Sequence, residues 1–190
     1  MNQTKNGLWN SPLLRSQVTS ENVRPPEMLF GYLIGPFGAL LASGIFTSQL
    51  QNYLTNVLKL DLGFLTTLQL LSTILIVAAN LVVGQLIERT RTLAGKARPW
   101  ILLSALTLSV ASVLMFIVPF ADRTARMVWI AIAYNAYYAV GFPIYNTANS
   151  TLVPVSTRNS KQRSTLASLT NIASLGAVSY THLRAHETPE

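Results

Sequence analysis

Charge in this chain is confined to short intervals, and the stretches between them are long and apolar. No Asp, Glu, Lys, Arg or His occurs from Met28 to Leu58, from Leu62 to Ile87, from Trp100 to Ala121, or from Met127 to Thr157. About 20 apolar residues, rising 1.5 Å each, suffice to cross roughly 30 Å of hydrocarbon. The pattern therefore predicts spanning helices at about 28–57, 64–87, 100–120 and 127–153. Helices buried in a soluble core are usually shorter and keep a polar stripe, which these stretches lack. A fifth apolar run starts near Ser164 and reaches Val178, about 15 residues or roughly 22 Å of helix, short of a span. The fold class is thus an all-α membrane protein with four spanning helices and an incomplete fifth. The connection Lys59–Gly63 is so short that helices 1 and 2 are expected to be antiparallel neighbours. Gly31, Gly35 and Gly38 share a face of helix 1, where small residues would let another backbone come close.

Composition agrees: 11% of the 190 residues are charged, against about 25% in an ordinary soluble domain. There is no cysteine, so disulfides and thiolate metal sites are excluded. The formal charge of +7 need not mean nucleic acid, because Lys and Arg mark the cytoplasmic side of membrane proteins. Lys5, Arg15 and Arg24 precede helix 1. Arg89, Arg91, Lys96 and Arg98 follow helix 2, and Arg158, Lys161 and Arg163 follow helix 4. The opposite side carries only Lys59, Arg123 and Arg126. The N-terminus is therefore expected inside, in the cytoplasmic membrane of a bacterium. Residues 1–27 are polar, end at Pro25-Pro26, and lack a signal peptide's apolar core; they read as a cytoplasmic tail.

From Ser179 to Glu190 the character changes. Arg184, Glu187 and Glu190 would each cost about 3 kcal/mol at mid-span, and the segment resembles a translated adapter sequence. It is expected to be non-native, with the true protein continuing beyond. His182 and His186 have the spacing of a metal pair on a helix, but they lie in this tail and are set aside. No metal and no cofactor is expected.

Polar residues inside the spans supply the candidate chemistry. Asn135, Tyr138, Phe142, Asn146 and Asn149 recur at three- and four-residue steps on helix 4, which puts them on one α-helical face. Gly141 and Pro143 predict an interrupted hydrogen-bond ladder there. Gln69, Thr73 and Asn80 do the same on helix 2, as do Ser43, Thr47 and Gln51 on helix 1. Such stripes either line a shared wet cavity or bridge helices through hydrogen bonds. Gln51, Asn80, Asn135, Tyr138, Asn146 and Asn149 suit a neutral polyhydroxylated ligand, because amides donate and accept while a tyrosine face can stack on a sugar ring. No catalytic constellation is present outside the tail, so the chain does not read as an enzyme.

The loop after helix 2 runs from Gly84 through Glu88-Arg89 to Gly95-Lys96-Ala97-Arg98-Pro99-Trp100. Its Gly-x-x-x-acid-Arg start resembles the loop between helices 2 and 3 of the major facilitator superfamily. The ending Gly-Lys-x-Arg-Pro-Trp resembles the glycoside–pentoside–hexuronide:cation symporters, of which melibiose permease is the familiar member. Leu152-Val153-Pro154 followed by Arg163 fits the same branch, and the resemblance covers about Gly31 to Val178. It implies a secondary transporter of glycosides or similar neutral polyols, working by alternating access between two six-helix halves. This chain would hold most of the first half and be inactive without the missing C-terminal half. Gly84, Glu88, Arg89, Gly95, Lys96 and Arg98 would then form a gating loop, with Arg89 and Arg98 available to cap helix C-termini. Cation-coupled members carry carboxylates where this chain has Leu40, Ile76, Asn80 and Asn146, and a basic residue near Thr170. A coupling sodium ion or proton therefore has no intramembrane carboxylate here. The other reading kept open is a small four-span scaffold or partner subunit without transport activity.

Overall fold

The computed structural model describes residues 22–92 and 95–186, with side chains through residue 180. Most of the expected N-terminal tail, two residues of the loop after helix 2, the last four residues and the side chains of His182 and His186 fall outside that description. Among the described residues five helices run in order: α1 (Pro25–Val57), α2 (Leu62–Arg89), α3 (Arg98–Phe116), α4 (Arg123–Ser156) and α5 (Ser160–His186). The first four are long and apolar enough to cross a membrane. The described residues divide into two compact units, one within Leu62–Leu152 and the other comprising residues 22–61 and 153–186. Helices α1 and α2, expected as neighbours, fall in different units. Between them Lys59 adopts a left-handed φ of 51°, which carries the Leu60 N–H back to the Leu54 carbonyl at 3.1 Å.

In the first unit α2, α3 and α4 pack through small residues. Ser72, Ser104, Ala111, Ala133, Ala139 and Ala148 are all buried, and Val83 and Ile87 of α2 meet Ile144 and Ala148 of α4, with Trp100 and Ile101 against them. The closest approach is at Gly141, where a Cβ would sit 2.8 Å from Leu108 Cδ2. Leu70, Ile74, Leu81, Leu106 and Val113 are more than half exposed. Lipid tails, not water, suit such surfaces, because packing rather than hydrophobic burial joins helices in hydrocarbon.

The element boundaries differ from expectation for identifiable reasons. Helix α3 stops at Phe116 rather than near 120. Ile117 turns to an extended conformation, φ −97° and ψ 97°, and Val118 precedes Pro119, a position that disfavours helix. The carbonyls thereby released are taken up by Trp129, whose Nε1–H reaches Leu114 O at 2.9 Å and Ile117 O at 3.0 Å. Trp129→Phe should keep the edge contact with Phe120, centroids 5.5 Å apart, yet lose about 1 kcal/mol of stability. Thermal unfolding in detergent would measure the loss. Helix α4 begins at Arg123, four residues early, because the Asp122 carboxylate accepts from the Ala125 N–H at 2.9 Å and caps it. At its far end α4 passes through Pro154 to Ser156. In the last turn a proline forfeits only one ladder bond, so the helix survives two residues more.

The second unit pairs α1 with α5. Tyr32, Pro36, Leu50 and Leu54 are buried on α1, and Leu166, Ala173 and Ala177 on α5. Gly176 lies against Phe37, where a Cβ would come within 3.2 Å. Among the described residues, a Cβ on Gly31 or Gly38 would meet nothing within 4 Å, so neither glycine is a site of close packing within this segment. The α5 helix starts at Ser160, because Asn159 Oδ1 accepts from the Lys161 N–H at 3.1 Å, and its backbone stays helical to His186.

Candidate functional site

Helix α4 contains a π-helical segment, Ala136–Gly141, closed by the Phe142 N–H donating to the Tyr137 carbonyl. Pro143 explains its position. Proline cannot donate to residue 139 and its ring crowds that carbonyl, so the preceding turn widens to i→i−5 bonding. One extra residue in a turn rotates the two flanking stretches of helix by roughly 100° relative to each other. Tyr138, Phe142, Asn146 and Asn149 consequently remain on one face, while Asn135 is turned away from it. The Asn135 Nδ2 donates to its own helix at Ala131 O, 2.8 Å, and its Oδ1 is buried with no hydrogen-bond partner.

Tyr138 sits at the centre of an aromatic run. Its ring lies 4.5 Å from Tyr134, 4.8 Å from Tyr137 and 6.4 Å from Phe142, all at tilted or edge-on angles. Sequence reasoning missed Tyr134 and Tyr137, although the i, i+4 step from 134 to 138 was a usable signal. One to three turns along, Asn146 is exposed and Asn149 is half-exposed, and neither amide is hydrogen-bonded among the described residues. The face thus combines aromatic surface with amides able to donate and accept, a chemistry suited to hydroxyl-rich neutral molecules.

On α2, Asn80 is exposed and its Nδ2 donates to Ile76 O at 2.9 Å, leaving its oxygen as the outward acceptor. The hydroxyls of the expected stripes turn inward to their own helices: Thr73 to Gln69 O and Thr47 to Ser43 O, both at 2.8 Å. The polar stripes of helices 1 and 2 thereby lose those threonines. Gln51 is exposed on α1 and belongs to the other unit. Ser72, 1% exposed, holds a buried hydroxyl without a partner, a feature no sequence pattern indicated. Leu40 is half-buried, and the Thr170 hydroxyl is spent on Leu166 O at 3.1 Å. Among the described residues, no group of three His, Cys, Asp or Glu side chains gathers in one place.

The loop motif acquires a structural reading residue by residue. Gly95 has φ 95°, a left-handed conformation that favours glycine. Its N–H donates to Thr92 O at 3.0 Å, and the Thr92 hydroxyl donates to Gly95 O at 2.7 Å. Ala97 is buried and Pro99 occupies the first turn of α3, where its missing N–H costs nothing. Trp100 Nε1 donates to the Thr90 hydroxyl at 2.9 Å, tying α3 to the exit of α2. Glu88, Arg89, Lys96 and Arg98 are exposed, and Gly84 is half-buried on α2. Arg98 opens α3, the end where a cation is disfavoured, so it cannot cap that helix's own C-terminus as Arg89 can for α2.

This loop and the apolar helices around it lie inside a single family match. Residues 31–183 match the sequence family described as MFS/sugar transport protein. The chain belongs to that family. The relatives it resembles include proteins named as a transporter and as symporters. It is 29% identical over 167 residues to the isoprimeverose transporter of Lactiplantibacillus pentosus, covering 85% of this chain and 34% of that protein. It is 26% identical over 156 residues to the symporter YjmB of Bacillus subtilis (strain 168), covering 80% and 33% respectively. Against the inner membrane symporter YicJ of Escherichia coli (strain K12) it is 29% identical over 116 residues, 61% of this chain and 25% of the other. The chain therefore spans about a third of the length of the first two relatives. Family membership makes it an integral membrane protein of a transport family, not an enzyme.

Proposed function

We propose that the protein to which this chain belongs is a secondary transporter that moves glycosides or similar neutral polyols across the cell membrane by alternating access. The observation that carries the reading is the α4 face, where unpartnered Asn146 and Asn149 amides continue an aromatic run centred on Tyr138. Asn80 and Gln51 are the proposed contributions of α2 and α1. The relatives' names support the substrate class, since one is called an isoprimeverose transporter. In this reading α1 to α5 supply most of the first of two six-helix halves that rock about a midplane site. The loop of Gly84, Glu88, Arg89, Gly95, Lys96 and Arg98 lies at the cytoplasmic surface of a bacterial membrane, with the N-terminus on the same side. Ion pairs between its exposed charges and a neighbouring helix bundle would be worth about 0–1 kcal/mol each, suited to an equilibrium that must tip both ways. The chain by itself is inactive because the remaining wall of the cavity lies elsewhere in the protein, and Ser179–Glu190 is foreign to it.

The test is uptake by the product of the complete reading frame, reconstituted in liposomes with labelled glycosides, with and without a sodium gradient and with and without a proton gradient. Saturable uptake that unlabelled glycoside competes away is expected. Uptake of none of a panel of glycosides and polyols, by protein shown to be folded, would sink the substrate assignment. A response to either gradient would locate coupling groups outside the carboxylate positions that Leu40, Ile76, Asn80 and Asn146 occupy here.

A further inference from the structure

The segment that leads into α1 is tied to α5 by Gln162. The Val23 N–H donates to Gln162 Oε1 at 2.9 Å, and Gln162 Nε2 donates to Val23 O at 2.9 Å. A carboxamide carries the same donor and acceptor as a peptide, so Gln162 satisfies Val23 as a neighbouring β-strand would. Val23 is only 8% exposed, and an unmade bond at a buried peptide is costly. Contacts around the pair reinforce it. Asn159 Nδ2 donates to Asn22 Oδ1 at 3.3 Å while its own oxygen caps α5. Arg163 Nη2 donates to Thr157 O at 3.0 Å, and buried Thr157 accepts from the Asn159 N–H at 3.1 Å. Further along α1, the Tyr32 hydroxyl is hydrogen-bonded to the Ser156 hydroxyl.

Position gives this contact its leverage. Helix α1 starts at Pro25, two residues after Val23, so fixing Val23 fixes the direction in which the helix sets out. Gln162 stands in the first turn of α5. The pair therefore joins the starts of α1 and α5 directly, without an intervening loop, and Phe37 with Gly176 adds a further contact between them. We propose that Gln162 is a latch that fixes the first turn of α1 to the first turn of α5, and that its release lets the start of α1 move independently of α5. All the latch groups are uncharged, so salt leaves it engaged while screening the basic loops. The inference stands on this unit alone and does not require the transport reading.

The test uses the chain in lipid nanodiscs. Gln162→Met keeps length and apolar packing and removes both hydrogen bonds. Gln162→Glu keeps one acceptor but sets an oxygen against the Val23 carbonyl. In Gln162→Met, hydrogen exchange at the Val23 amide should quicken about tenfold, the loss of ordinary hydrogen bonding at one group; Gln162→Glu retains that acceptor and loses only the donation to the Val23 carbonyl. The chain has no cysteine, so spin labels on Leu29→Cys and Ser164→Cys report only the α1–α5 distance. That distribution should be narrow with Gln162 and broad in both variants, and it should not widen when salt is raised with Gln162 in place. Val23 exchange within about twofold of the parent in folded Gln162→Met would overturn the latch. Faster exchange with an unchanged distance distribution would overturn the coupling of the two helices.

Discussion

Asn146→Ala, made in the complete transporter, is expected to cut glycoside uptake by at least about tenfold, while Asn135→Ala leaves it within about twofold. The two asparagines look equivalent in sequence, both on the three- and four-residue ladder of helix 4. The structure separates them. Asn146 is exposed two turns beyond Tyr138, with its amide unpartnered, whereas Asn135 is rotated off that face and bonded to Ala131 O at 2.8 Å. A bound hydroxyl that loses its amide partner in a closed, water-poor site is left unsatisfied, which costs about 1–3 kcal/mol. Steady-state uptake with surface expression controlled would measure both variants. Equal losses from the two would show that the face is not where the solute binds. Equal retention would point to helices beyond this segment.

Gly141→Val is expected to destabilise the first unit by about 1–3 kcal/mol, the usual cost of overpacking a filled interior. A Cβ at this position would stand 2.8 Å from Leu108 Cδ2 and 3.4 Å from the Leu108 backbone nitrogen. The side chain can swing aside, but the backbone of α3 cannot retreat without parting from α4. Valine's two methyls enlarge the collision. Unfolding in a mild detergent series should show the loss, and Leu108→Ala should recover part of it in the double variant, because the two residues share one space. If Gly141→Val unfolds at the parent's denaturant concentration, the close crossing of α3 and α4 is wrong.

How much of this was legible in the sequence differs by level. Uncharged length gave the four spans, because a membrane imposes a minimum that few other environments do. The ends were harder. Asp122 as a cap and Ile117–Pro119 as a stop were both readable by known rules, yet hydropathy alone placed α4 too late and α3 too long. The satisfaction of Leu114 O and Ile117 O by Trp129 was out of reach, since it depends on a tertiary approach. Gly31 and Gly38 of helix 1 meet no neighbour within this segment; spacing shows which residues share a face, not which face meets a neighbour. Gly141 and Gly176, each alone in its stretch, turned out to be the close contacts. The threonine stripes were misleading for a related reason. A hydroxyl that bonds its own helix four residues back needs no cavity, and the two stripe threonines, Thr47 and Thr73, both do so. Of the helix 4 stripe, the part after Tyr138 survives because it lies beyond the widened turn.

That widened turn behaves as a dislocation does in a crystal row: one surplus member, absorbed locally, leaves order intact on both sides but out of phase. Dislocations can glide. Shifting the surplus residue by one place exchanges one pair of carbonyl bonds and passes a single side chain from one phase to the other, without unwinding the rod. Pro143 forbids glide across itself, so travel is open only toward Asn135, and the amides beyond the proline keep their bearing. The helix is thus divided into a segment whose facing can be retuned residue by residue and one whose facing is fixed.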